Sequence, residues 1–165
     1  MHLKNCLRIV SVISRLSAIK RAAPCKKTLQ KIVFLIEAKN VKLGCDYGIH
    51  FYGPYSADLD FAVRELCDDG ILDIKYTSME HKISVVDSTF ANGYNNQTVN
   101  EIIDEFGKDS PSNLELLATA LYVFLQVRDA NKVKDGVVKI KGTKYTERQI
   151  DTAITRLRRT GYIAA

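Results

Sequence analysis

From Ser56 to Val86 the chain carries a signal that few folds accommodate: a capped amphipathic helix, stopped by glycine and followed at once by two short strands. Ser56 is an N-cap residue, and Asp58 in the first turn complements the positive end of the helix dipole. Leu59, Ala62, Val63 and Leu66 recur at three- and four-residue spacing, the period of a buried helix face. Gly70 can adopt the left-handed conformation that ends such a helix. Residues 71–76 and 82–86 read as strands, with 77–81 as the turn between them.

Upstream, Leu3, Leu7, Val10, Ile13 and Leu16 mark an amphipathic helix that runs to about residue 21. Pro24 closes the connection, and a second helix is predicted over 26–40 on the strength of Leu29, Ile32, Val33, Leu35 and Ile36. Residues 46–52 alternate and read as a short strand expected to share a sheet with 71–86. Gly53-Pro54-Tyr55-Ser56 reads as a break that leads into the next helix. Helix, strand, helix and terminal hairpin is the order of a winged helix. The predicted fold class is α+β, mostly α: a winged-helix-like N-terminal unit with a small antiparallel sheet, plus a C-terminal helical, helix-turn-helix-like unit.

The second unit follows a polar connection at 91–96. Helices are predicted at 98–106, 114–127, 131–141 and 146–160, with 107–113 as a boundary rich in Ser, Pro, Asp and Gly. The 114–127 segment has almost no polar face, so it should be buried on most sides and hold the two halves together. The expected organisation is 1–90 and 97–165, two units able to form one compact domain. Residues 59–66 resemble 150–157 at a constant offset of 91, and Gly70, Ile71 and Leu72 correspond to Gly161, Tyr162 and Ile163. Duplication and the shared demands of a helix stopped before a wing both account for this. No full second wing is expected after Gly161.

Charge is sorted along the chain. Residues 1–50 hold ten Lys/Arg against two Asp/Glu, residues 51–110 four against twelve, and residues 111–165 ten against five. Such asymmetry points to an anionic partner for the basic parts, or to an acidic middle folded against basic ends. The helix after Ser56 is acidic, with Asp58, Asp60, Glu65, Asp68 and Asp69, and would be repelled by phosphates. The later helix is basic, so the nucleic-acid-binding residues expected are Lys139, Lys141, Lys144, Arg148, Arg156 and Arg159. Cations at a helix C-terminus are also favoured without any ligand.

Catalytic and cofactor signatures are missing. There is no phosphate-cradling glycine loop, no G-x-S-x-G and no H-E-x-x-H, so no catalytic residue, metal or cofactor is assigned and the chain is not read as an enzyme. Cys6, Cys25, Cys45 and Cys67 lie about twenty residues apart, without the close pairs a zinc site needs, and read as reduced thiols. No membrane partner is expected, because the first helix is interrupted by Arg8, Ser11, Ser14 and Arg15, and a cytoplasmic location follows.

The stretch Leu29-Gln30-Lys31-Ile32-Val33-Phe34-Leu35-Ile36, followed by Tyr52-Gly53-Pro54-Tyr55-Ser56 and Asp69-Gly70-Ile71-Leu72, resembles the YwgA-like family of uncharacterised prokaryotic proteins. Leu114-Glu115-Leu116-Leu117-Ala118-Thr119 and the close from Tyr145-Thr146 to Gly161-Tyr162-Ile163 extend the likeness over most of the chain. The helix with Leu-Gln-Lys and the Tyr-Gly-Pro turn are similar, more distantly, to the Panacea-type antitoxin domain. The resemblance implies a winged-helix-like fold and, through the antitoxin domain, a protein partner. Two functions follow as expectations: a DNA-binding transcriptional regulator with duplex DNA as partner, or a protein-interaction module without DNA contact. In the second, Tyr52, Tyr55 and Asp58 form the contact patch. A homodimer through the first helix is also expected.

Overall fold

The computed structural model describes residues 1–164. Helices α1 (Leu3–Lys20) and α2 (Lys26–Ala38) open the chain, followed by strands β1 (Gly48–His50) and β2 (Gly53–Tyr55), helix α3 (Ala57–Asp68) and strands β3 (Leu72–Tyr76) and β4 (His81–Val85). Helices α4 (Gln97–Phe106), α5 (Pro111–Val127), α6 (Val133–Lys141) and α7 (Glu147–Arg159) complete it. The fold is α+β and mostly α, with two small antiparallel sheets.

The wing forms as expected, with Leu72 opposite Val85 and Tyr76 opposite His81. Residues 46–52 do not share its sheet, contrary to expectation. Cys25 forms an isolated antiparallel bridge to Lys82, and the Ile83 amide donates to the Pro24 carbonyl at 2.9 Å, so the residues before α2 lie along the open edge of the two-stranded wing. Residues 48–50 instead pair with 53–55, within the segment read as a break. That hairpin turns at Phe51-Tyr52, and Gly53 at φ +90° makes the turn possible. Helix α5 starts three residues before its predicted position, because Ser110 caps it by accepting from the Asn113 amide and Pro111 sits in its first turn.

The offset of 91 is structural as well as sequential. Leu59, Ala62, Val63 and Leu66 are buried on α3, and Ile150, Ala153, Ile154 and Leu157 are buried on α7. Gly70 and Gly161 both have positive φ, at +74° and +78°. The Ile71 amide donates to Leu66 and the Tyr162 amide to Leu157, each at 2.9 Å, the long bond of a Schellman end. Beyond the glycines the two copies diverge: Ile71 leads into β3, whereas Tyr162 donates its hydroxyl to the Leu35 carbonyl on α2 at 2.9 Å.

One buried cluster runs through both units, from Ile9 and Ile13 on α1 through Ile32 and Leu35 on α2 to Leu117 and Leu121 on α5 and Leu157 on α7. Helix α5 packs against α2, β2, α6 and α7 at once, which its uniform apolarity requires. Gly136 lets α6 approach α5 closely: a Cβ there would lie 2.4 Å from Val123 Cγ1. The four cysteines are free, three of them buried and Cys67 half-buried. Among the described residues no helix is long and apolar enough to cross a membrane.

Candidate functional site at the caged carboxylate

The Leu-Gln-Lys stretch of α2 and the Tyr-Gly-Pro-Tyr-Ser turn meet in space, 23 to 26 residues apart. Gln30 Nε2 donates to the Ser56 carbonyl and its Oε1 accepts from the Ser56 amide, both at 2.9 Å. Lys31 Nζ donates to the Pro54 carbonyl at 2.7 Å. Buried backbone groups that a two-strand hairpin leaves open are thus satisfied by side chains of the neighbouring helix. The cost falls on Lys31. Burial pushes its amine down to about 8, with the Lys27 and Lys141 charges adding to the effect against the pull of Glu115.

Directly beneath this hairpin lies Glu115, a charged residue with no exposed surface on the most apolar helix of the chain. Three lysines from two distant parts of the chain converge on it. Lys27 of α2 is 2.6 Å from Oε2, Lys144 from the α6–α7 connection is 2.9 Å from both oxygens, and Lys141 at the end of α6 bonds to Oε1. Burial raises the carboxyl, but the bonds from Lys141, Lys27 and Lys144 outweigh it and hold the group down to about 2. Lys141 also donates to the Phe51 carbonyl at 2.8 Å, which ties the hairpin tip to the cage. Gly53 is required here for space as well as conformation, since a Cβ would come within 2.9 Å of Thr119 Oγ1.

The outer edge of the cage is aromatic. The Tyr52 ring lies 5.1 Å from the Lys27 amine and 5.8 Å from that of Lys144, and Tyr145 lies 5.6 Å from the latter. These are cation–π distances. Phe51 stacks edge-on against Tyr52, with ring centroids 4.9 Å apart, and the two side chains are 83% and 58% exposed.

The six expected nucleic-acid-binding residues are not one surface. Lys141 and Lys144 bind Glu115. Arg156 is clamped by Asp109, at 2.5 Å from Nη1, and by Glu105, at 3.1 Å from Nε, and it also donates to the Glu105 carbonyl at 2.7 Å. Arg159 reaches Glu105 at 2.5 Å. Lys139 and Arg148 are exposed. Of the expected interaction patch, Tyr52 joins the cage. Tyr55 packs on His50 with ring centroids 4.8 Å apart, and Asp58 accepts from the Asp46 amide at 3.0 Å, a local loop contact. Sequence reasoning missed Glu115, Lys27 and Lys31 as a site. The available signal was a single carboxylate in a run of apolar helix, opposite a stretch rich in lysine.

The fold and this cage define a class: a winged-helix-type α+β fold extended by four further helices and tied together through a buried, lysine-neutralised carboxylate. The chain is 31% identical over 138 residues to the protein named Uncharacterized protein YwgA of Bacillus subtilis (strain 168), an alignment covering 78% of this chain and 82% of that one. The chain therefore belongs to the YwgA family. No family model matches it.

Proposed function

We propose that this protein is a partner-binding winged-helix module that does not read DNA, and that its contact surface is the Phe51–Tyr52 hairpin tip with the outer face of the lysine cage. One observation carries the reading. Four of the six C-terminal cations suited to phosphate contact are held by carboxylates of the same molecule, at Glu115, Glu105 and Asp109. A duplex would meet these cations already partnered by carboxylates of the same chain, which lowers the counterion release each can contribute. Helix α3, in the position winged-helix proteins place in the major groove, presents Glu65 and Asp68 to solvent beside Phe61. Exposed aromatic side chains next to polar groups are instead the anchors of protein interfaces.

Titration into a fluorescently labelled duplex of mixed sequence at 50 mM salt tests this. The expected result is no saturable rise in anisotropy. Binding that saturates, weakens steeply with salt and is lost in an Arg148→Ala, Lys139→Ala variant would overturn it.

A further inference from the structure

Counting the amines around Glu115 exposes an imbalance. Three lysines, Lys27, Lys141 and Lys144, bond to a single carboxylate, and a fourth, Lys31, is buried on the same hairpin at the Pro54 carbonyl. Cations removed from water need compensation, and a single carboxylate neutralises one of them. Lys31 and Lys141 are turned inward and spend bonds on the Pro54 and Phe51 carbonyls. Lys27 and Lys144 are different. Both approach the same Glu115 oxygen, at 2.6 and 2.9 Å, while their side chains stay 27% and 40% exposed, and Tyr52 covers them on one side. Two ammoniums thus sit side by side at the surface with one shared carboxylate beneath.

We infer that Lys27 and Lys144 form a receptor for one oxyanion group carried by a peptide segment of the partner, a carboxylate or phosphate held between the two amines and flanked by the Tyr52 ring. This rests on the partner-binding reading above. The receptor suits a single anion, because the neighbouring cations Lys26 and Arg64 are already shared by the Asp60 carboxylate of α3, at 2.5 and 2.9 Å. The exposed Phe51 beside it provides apolar area for the rest of the segment.

The chain has no tryptophan, so Tyr52→Trp places a lone fluorophore against both amines. Acetylated triglutamate, a phosphoserine tripeptide and triglutamine are titrated at constant ionic strength. A saturable fluorescence change with triglutamate or the phosphopeptide, and none with triglutamine, is expected; which of the two responds identifies the oxyanion. Adding Lys27→Met and Lys144→Met should weaken it by roughly tenfold or more, while Lys144→Arg retains it. An unfolding curve on each variant separates loss of binding from loss of fold. Equal responses to all three peptides, or an unchanged response in a folded double variant, would overturn the inference. If a protein partner held at the Phe51–Tyr52 tip survives the double lysine variant, the oxyanion receptor fails and the partner reading stands.

Discussion

The Lys27 ammonium on α2 lies 2.6 Å from a carboxylate oxygen of Glu115 on α5, so a charge with no exposed surface joins the winged-helix half of the molecule to its helical half. With Lys141 and Lys144 on the same carboxylate, Glu115 is a bolt between three segments remote in sequence. Removing one partner of a buried charge cluster strands the others. Glu115→Gln should therefore destabilise the fold by about 3–5 kcal/mol in chemical denaturation.

The same carboxyl gives a pH signature. Its folded-state value, about 2, lies below the ordinary 4.5, so its stabilisation is fully present above pH 4.5 and is lost as the pH falls towards 2. Asp60 and Glu105, also held down by basic partners against burial, act in the same direction. Glu115 contributes up to about 3 kcal/mol over that range. Unfolding free energies measured from pH 6 to 2 should fall in the wild type and fall less steeply in Glu115→Gln.

Gln30 is a two-bond clamp on Ser56, and both bonds are buried. Gln30→Ala leaves the Ser56 N–H without a partner, whereas the Ser56 carbonyl keeps the Asp60 amide at 3.3 Å, so the cost should be about 1–3 kcal/mol. Hydrogen exchange should show the Ser56 amide losing protection before the α5 core does.

Gly53 and Gly70 share positive φ, but only at Gly53 is there no room for a Cβ. Gly70→Ala should cost about 1–2 kcal/mol from conformation alone. Gly53→Ala should cost more, because Thr119 and Glu115 must also move. Gly136→Ala meets Val123, and the clash should outweigh the gain of about 1 kcal/mol in helix propensity. Adding Val123→Ala should recover part of the loss, giving a measurable coupling in a double-mutant cycle.

Arg156 and Arg148 look alike in sequence and differ in role. Arg156 is tied to Glu105 and Asp109, so Arg156→Ala should lower stability by about 2–3 kcal/mol. Arg148→Ala, at an exposed position, should change it by less than about 0.5 kcal/mol. Thermal unfolding of the two variants side by side checks this.

What the sequence made legible was local. The α3 face, the Gly70 stop and the β3–β4 wing follow from spacing and turn chemistry within thirty residues, and the second glycine-stopped helix repeats them. The Cys25–Lys82 bridge was not legible, since a single paired residue carries no periodicity. Nor was β2, because Gly53-Pro54 reads as a break when its partner strand and the Gln30 and Lys31 side chains are out of view. The cage was invisible for the same reason: Lys27, Lys141 and Lys144 reach Glu115 across 26 to 88 residues of chain. Arg156 and Arg159 read as free cations because their carboxylates, Glu105 and Asp109, lie on the far side of α5 in sequence.

Photocrosslinking from single positions in cells that express the protein tests the central claim most directly. A photoreactive phenylalanine analogue at position 52 should give a discrete protein adduct, and the same analogue at position 148 should give neither a discrete protein adduct nor one sensitive to nuclease. A nuclease-sensitive adduct from position 148, with none from position 52, would contradict the account.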